Sequence, residues 1–259
     1  MTRYDTRARR ATATAAVLAA TGLALAGCKS STSAATSTSS TPAVASSSPA
    51  ATASASSAAS AQAATFFPAA VDNTWVYAST VGKTTTTDIT NKVIAVDPVP
   101  GGQQVTMAVT TATGASTRVT YIFHSDGSIT VPVSEFLSGA VKVTSGSVVW
   151  PSQAELASGQ PQSSTLTLSV TSDGQVSNAT VHVTISGGGM QSVTVPAGTY
   201  QAQLINEDFS ETLLGSPVTF TEQTWVASGV GPVKIALAPS SSSTHEATVQ
   251  VLKSFTKGS

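Results

Sequence analysis

Hydrophobic residues occupy every second position in many short stretches between residues 66 and 259, and Thr or Ser fills many of the positions between them. Such alternation indicates β-strands with one face in a core and the other in water. An antiparallel sheet with one solvated face requires this pattern. The clearest examples are residues 105–109, 119–123, 166–170, 181–185 and 249–251.

Glycine-containing turns separate these stretches. Glycine readily adopts the positive φ that tight hairpins need, and Asp-Gly is a strong hairpin signal. The spacing predicts a meander of ten to twelve strands. Helix is scarce, and the best candidate is residues 152–158, with Ser152 as N-cap and Glu155 at the third helical position. The predicted turns lie at residues 81–83, 100–102, 113–115, 126–127, 173–174 and 187–189.

So many strands in one sheet must curl, close or split into two layers. We therefore predict a mostly β domain, a single curved antiparallel sheet in the form of a half-barrel or open barrel. A β-sandwich is the alternative. Aromatic residues on the inner face either line a ligand-binding surface or fill a closed core, and the sequence leaves both open. These candidate lining residues are Trp75, Tyr77, Tyr121, Phe123 and Phe220.

The N-terminal segment has the layout of an export signal. Four arginines within the first ten residues precede an uncharged stretch, residues 11–26, which is too short to span a bilayer comfortably. Leu25, Ala26, Gly27 and Cys28 follow the pattern of a lipobox, and Cys28 is the single cysteine of the chain. By its resemblance to bacterial lipoprotein signals, the segment implies lipidation of Cys28 after cleavage of residues 1–27. The expected location is the outer face of the bacterial cytoplasmic membrane or the cell surface.

Residues 28–65 contain mostly Ser, Ala and Thr. Such a composition buries too little apolar surface to offset the entropy of ordering. We predict a disordered tether with a typical reach of about 35 Å. The chain thus divides into a signal at 1–27, a lipidated Cys28 with its linker at 28–65, and one β domain at 66–259.

Charge and cysteine content exclude several classes of function. The β domain carries seven Lys or Arg and twelve Asp or Glu, so it has no basic surface for nucleic acid. With no cysteine after Cys28, it has no disulfide framework and no thiolate nucleophile. No motif for a metal or another cofactor occurs.

Catalytic signals are weak. The three histidines, His124, His182 and His245, fall on separate predicted strands or strand ends, and no nucleophile elbow is present. Glu207, Asp208 and Glu211 form an acidic cluster. Alternation places Glu207 and Asp208 on opposite faces, which argues for a solvated strand edge rather than a shared site.

Three segments together resemble a broad group of bacterial envelope proteins of undefined function. The first is residues 66–77, which end in Thr-Trp-Val-Tyr; the second is residues 195–200, Val-Pro-Ala-Gly-Thr-Tyr; the third is residues 225–234, with Gly229 and Gly231. The group shares a "FPL-x-VGN-x-W-x-Y" start, a "VPAG-T-F" motif and a "GVG-L-VK" close. Ser228, Pro232 and Asp72 depart from that pattern. The resemblance implies a fold similar in plan to the lipoprotein-carrier half-barrel.

These observations favour a non-enzymatic, membrane-anchored lipoprotein. Its β domain would bind a lipid or another apolar or amphipathic ligand, or an envelope component. Two alternatives stay open. One is an envelope hydrolase acting on wall glycan or lipid ester, which needs two carboxyls in a cleft. The other is an adaptor that binds an envelope protein through an exposed strand edge.

Overall fold

A computed structural model describes residues 66–82, 85–137, 141–172, 174–213, 216–238 and 247–258. The lipobox, Cys28, the tether, His245 and Asp173 lie outside these residues, so the expectations about them stay predictions. Within the described residues, no helix has the length and hydrophobicity needed to cross a bilayer.

The described residues form thirteen strands and two short helices, one strand more than the largest number predicted. The strands are β1 Thr74–Val81, β2 Thr85–Val99, β3 Gly102–Thr111, β4 Ser116–His124, β5 Ile129–Val131, β6 Val141–Ser145, β7 Val148–Trp150, β8 Gln162–Ser172, β9 Gln175–Val195, β10 Gly198–Leu213, β11 Ser216–Ala227, β12 Gly231–Ala238 and β13 Thr248–Thr256. The helices are α1 Val133–Phe136, between β5 and β6, and α2 Gln153–Ala157, between β7 and β8.

All thirteen strands belong to one antiparallel sheet in the order β6-β8-β9-β10-β11-β12-β13-β1-β2-β3-β4-β5-β7. The sheet is not closed, and it fits an open half-barrel. The prediction of a single curved antiparallel sheet is thus confirmed. The alternative, a β-sandwich of two sheets, is wrong. The first and last strands, β1 and β13, pair side by side near the middle of the sheet.

The chain itself holds the two edges of the sheet near each other. The edge strands are β6 and β7, and only Gly146 and Ser147 connect them. Consecutive Cα atoms are 3.8 Å apart, so Ser145 and Val148 lie at most about 11 Å from each other. A sheet of this length must curl strongly to bring its edges within that distance.

Most of the predicted turns are confirmed. The hairpins β2–β3, β3–β4 and β4–β5 turn at Gly101, Gly114 and Gly127, each with positive φ. The predicted capping box of α2 is also present, because the Ser152 side chain accepts from the Glu155 N–H and the Glu155 side chain accepts from the Ser152 N–H.

The predicted turn at residues 187–189 is wrong, because these glycines lie inside the 21-residue strand β9. The β9–β10 register shifts there, with Gln203 opposite Met190 but Ile205 opposite Gly187. A Cβ on Gly188 would lie 2.5 Å from the Leu204 side chain. The glycines therefore form a bulge that admits Leu204, a use of glycine that the sequence does not distinguish from a turn.

The inner face of the sheet encloses one hydrophobic core built from the alternating apolar positions. Trp75 and Tyr77 of β1 are fully buried in it, as predicted for a shared strand face. The β1–β13 pairing joins the two ends of the described segment, so its strands form one continuous sheet over this core.

Candidate functional site

A cavity opens into the inner face of the half-barrel. Its empty volume is about 480 Å³, including solvent at its mouth. A sphere of the size of a water molecule fits into only a small part of this space, so the cavity is a narrow slot. Most of its lining is apolar. The lining residues are Phe67, Tyr77, Asn91, Met107, Tyr121, Phe123, Ile129, Val131, Trp150, Pro232 and Ile235.

Three of the five aromatic residues predicted to line the inner face meet at this cavity: Tyr77, Tyr121 and Phe123. The Tyr77 hydroxyl donates to the Pro232 carbonyl oxygen at 2.9 Å, which fixes its ring. The rings of Tyr121 and Phe123 pack edge to face with centroids 6.4 Å apart. Burial raises the pKa of Tyr77 and of Tyr121, so both phenols are neutral.

The other two predicted residues lie elsewhere in the core. Trp75 packs beside the cavity, where its Nε1 donates to the Val230 carbonyl at 2.6 Å and its ring stacks on Phe255 at 5.1 Å. Phe220 stacks on Phe209 with ring centroids 4.4 Å apart. Of the five predicted residues, three therefore line the cavity and two pack elsewhere in the core.

Phe67 forms a wall of the cavity that belongs to no strand. It lies in the segment before β1, and its ring contacts Trp75 and Phe123 at centroid distances of 5.1 and 6.0 Å. Phe67 therefore lines the cavity from a loop rather than from the sheet.

Two buried carboxyl groups lie close to the cavity. The β10–β11 register places Glu207 directly opposite Glu222, and neither side chain has exposed surface. Residues opposite each other on one face have Cβ atoms about 4.5–5.5 Å apart. The flanking pairs on this face are Phe209 with Phe220 and Ile205 with Thr224. The pair therefore has an aromatic stack on one side and Ile205 with Thr224 on the other, and the Thr224 hydroxyl donates to Glu222 Oε1 at 3.4 Å.

The expectation that Glu207 lies at a solvated strand edge is wrong. Strand β10 lies between β9 and β11 inside the sheet, and Glu207 points inward while Asp208 is exposed on the opposite face. The predicted opposition of these two residues is confirmed. The missed signal was the alternation itself, because Ile205, Glu207 and Phe209 share one face.

Burial, and then the charge of Glu222, raise the pKa of Glu207 well above its ordinary value. The indole N–H of Trp150 lies near the Glu207 carboxyl and partly offsets this rise in its pKa. The contact does not have the geometry of a regular hydrogen bond. The negative charges of Glu222 and Glu207 also contribute to the raised pKa of Tyr121, after burial and Glu135. Trp150 and Tyr121 thus connect the carboxyl pair to the cavity, because both line it.

Two carboxyls in such a setting share a proton more readily than they ionise together. Some hydrolases use two carboxyl groups at a comparable separation, one as general acid and the other as base or nucleophile. Here, however, both side chains are fully buried and neither lines the cavity, so no substrate atom reaches them in this conformation.

The described histidines are held by neighbouring threonines. His124 Nε2 lies 2.8 Å from Thr130 Oγ1, and His182 Nδ1 lies 3.2 Å from Thr165 Oγ1. Among the described residues, no three His, Cys, Asp or Glu side chains are grouped so that they could hold a metal ion.

Comparison with known proteins assigns the fold to a family. A family model described as DUF3108-like matches residues 76–236, more than half of the chain. The chain belongs to the DUF3108-like family. The match reaches from β1 to β12 and thus includes the cavity walls in β1–β5, β7 and β12. No curated protein matches the chain.

Two solved structures share the fold of this family member at low sequence identity. A protein of Bacteroides fragilis, inferred to be exported and described with a YmcC-like fold, is 17% identical with a TM-score of 0.53; the match covers 75% of this chain and 100% of that one. A protein of Parabacteroides distasonis, inferred to be a lipoprotein, is 17% identical with a TM-score of 0.55; the match covers 74% of this chain and 99% of that one. At such identity the likeness shows the fold alone.

Proposed function

We propose that this protein is an exported lipoprotein whose half-barrel binds an apolar or amphipathic ligand in the inner cavity. Cys28 anchors it to the outer face of the membrane, and residues 29–65 tether the domain. The similarity to proteins inferred to be exported and to be a lipoprotein supports this location. The cavity carries the binding proposal, because it is concave, mostly apolar and bordered by a few polar groups, as small-molecule sites are.

The narrowness of the cavity defines how a ligand enters. A flexible alkyl chain suits a slot better than a bulky ring system does. To admit such a chain, the slot must widen, and displacement of the Phe67 ring widens it without breaking strand pairing. The segment that carries Phe67 follows directly on the predicted tether, so the attachment point of the domain lies beside the cavity wall.

The two alternative functions receive less support. A hydrolase would need carboxyls in contact with solvent, whereas Glu207 and Glu222 have no exposed surface. An adaptor acting by strand addition would need a long free edge, whereas the edge strands β6 and β7 contain five and three residues. The ligand-binding domain is therefore the function that the geometry supports best.

A fluorescence titration of residues 66–259 with N-phenyl-1-naphthylamine tests the binding proposal. We expect saturable fluorescence enhancement that is lost in Met107→Trp, because Met107 is a buried wall of the cavity. Met190→Trp is the matched control, since Met190 is 59% exposed and lies outside the lining. Urea unfolding establishes that both variants are folded. Equal probe binding by the two variants would refute the cavity as the site.

The lipid anchor has a test of its own. Labelling cells with a radioactive fatty acid should mark the wild-type protein and not Cys28→Ala. A Cys28→Ala protein that still incorporates label would contradict the assignment of Cys28 as the lipidated residue.

A further inference from the structure

One polar side chain interrupts the apolar inner face of β2. Ile89 and Val93 are almost completely buried, and Asn91 occupies the position between them on the same face. Because β2 pairs with both β1 and β3, Asn91 lies inside the sheet, opposite Trp75 and Val109. It is also the residue of β2 that lines the cavity. The apolar alternation of this strand thus gives way to a carboxamide at the cavity wall.

The Asn91 carboxamide brings an unsatisfied acceptor to the cavity. Its Oδ1 is buried and accepts no hydrogen bond within the described part of the chain. Among the described lining residues, only Trp150 has another buried polar atom of this kind, and its indole N–H lies near the Glu207 carboxyl. A buried acceptor without a donor costs free energy, which a ligand that donates a hydrogen bond would recover.

The chemistry of a side-chain amide defines the complementary head group. The Asn91 Oδ1 accepts, and Nδ2, which is bonded to the same carbon, donates. A second carboxamide matches both atoms at once, because its N–H can face Oδ1 while its carbonyl oxygen faces Nδ2. A ketone has no donor and leaves Oδ1 unsatisfied, and a hydroxyl has a single oxygen for both roles.

We propose that Asn91 forms the polar end of the cavity and binds the carboxamide group of an aliphatic amide, with Oδ1 accepting from the ligand N–H and Nδ2 donating to the ligand carbonyl oxygen. The alkyl chain of the ligand lies along the aliphatic lining residues Met107, Ile129 and Val131. This inference rests on the proposed ligand-binding function and specifies the ligand class.

The lining favours an uncharged head group. None of the described residues that line the cavity carries a charge, and the phenols of Tyr77 and Tyr121 are neutral. A carboxylate or an ammonium group would lose its hydration in the cavity without gaining a counter-ion. An amide supplies both a donor and an acceptor without bringing a charge into the core.

Competition against N-phenyl-1-naphthylamine tests the inference with four probes of ten heavy atoms: octanamide, 2-nonanone, 1-nonanol and octanoate. The protein is the mature chain, residues 28–259, with Cys28→Ser so that it carries no lipid. Octanamide and 2-nonanone differ only in an amino group replaced by a methyl group, so a change in cavity size affects both alike. In Asn91→Leu and in Asn91→Ala we expect the ratio of the ketone to the amide dissociation constant to fall about fivefold to tenfold, which is the effect of one net hydrogen bond.

Trp150→Phe is the control, because it removes the other buried polar atom of the lining and should leave this ratio unchanged. Urea unfolding establishes that each variant is folded. An unchanged ratio in folded Asn91→Leu and Asn91→Ala, or a fall in Trp150→Phe alone, would overturn the amide site and leave the ligand-binding function intact.

Two further comparisons test the choice of ligand class. Wild-type protein should bind octanamide more tightly than octanoate, and Asn91→Leu should lose more affinity for octanamide than for 1-nonanol. Tighter binding of octanoate, or an equal loss for the alcohol, would overturn the assignment of a neutral amide. If neither the fluorophore nor any of the four probes binds the folded wild type, the ligand-binding function fails together with this inference.

Discussion

The substitution Glu207→Gln should make the domain more stable at neutral and alkaline pH. Burial and the neighbouring Glu222 raise the pKa of Glu207 in the folded state. Native Glu207 therefore keeps a proton at pH values where the unfolded chain has lost it. The free energy of unfolding is then highest below the pKa of the unfolded residue, about 4.3, and falls as the pH rises through the folded pKa. Glutamine removes this loss because it does not ionise.

The number of protons sets the magnitude of this effect. If the folded state holds one proton that the unfolded state has lost, the free energy of unfolding falls by at most about 1.4 kcal/mol for each pH unit. Comparing the wild type with the variant cancels the contribution of groups that do not interact with Glu207, including Glu211, whose pKa is raised by burial. The two curves should therefore diverge above the unfolded pKa, with a difference in slope of up to about 1.4 kcal/mol per unit until Glu207 is ionised.

Urea unfolding of residues 66–259, followed by tryptophan fluorescence at pH 5, 6, 7 and 8, measures this difference. The control is Asp208→Asn, which removes the exposed carboxyl next in the chain and should leave the slope unchanged. Parallel curves for the wild type and Glu207→Gln would refute the reasoning, since they would mean that Glu207 titrates alike in the folded and unfolded states.

Three further changes test other parts of the structure by binding or urea unfolding. Phe67→Ala should bind N-phenyl-1-naphthylamine more tightly, because it widens the slot; weaker binding would make Phe67 part of the site rather than its cover. Gly146→Ala should lower the free energy of unfolding by about 2 kcal/mol or more, because φ at Gly146 is +87° and the new Cβ would collide with the Thr165 carbonyl oxygen. An unchanged free energy of unfolding would mean that the β6–β7 connection accepts a side chain at this position without strain. Asn73→Ala should lower the free energy of unfolding by about 1–3 kcal/mol, because the side chain of the fully buried Asn73 makes two hydrogen bonds of 2.7 Å, to the Pro68 carbonyl and from the Gly258 N–H. An unchanged free energy of unfolding would show that these bonds contribute no net stability.

The alternating pattern predicted most of the strands and the antiparallel sheet, and the large number of strands predicted its curvature. The pattern predicts strands because side chains on a strand alternate between faces with a period of two, so one buried face is visible in the sequence. The same rule correctly placed Glu207 and Asp208 on opposite faces of the strand. It failed for residues 187–189, because a bulge and a turn use glycine in the same way.

The site was less predictable, because it depends on pairings between strands distant in sequence. Tyr77, Tyr121 and Phe123 were recognised as inner-face aromatics, yet nothing in the sequence places Trp150 next to Glu207. Their proximity follows from the curvature that brings β7 over β10. The inward position of Glu207 itself was visible in the pattern Ile205, Glu207, Phe209, and only the expectation that carboxylates guard edges concealed it.

The most direct test of a ligand-binding half-barrel is native mass spectrometry of residues 66–259 secreted by a bacterial host. The account predicts an added mass on the wild type that disappears on denaturation, that is absent from folded Met107→Trp and that persists in Met190→Trp. An added mass that persists in folded Met107→Trp, or a wild type that carries none and takes up no offered 1-octanol, would contradict the account.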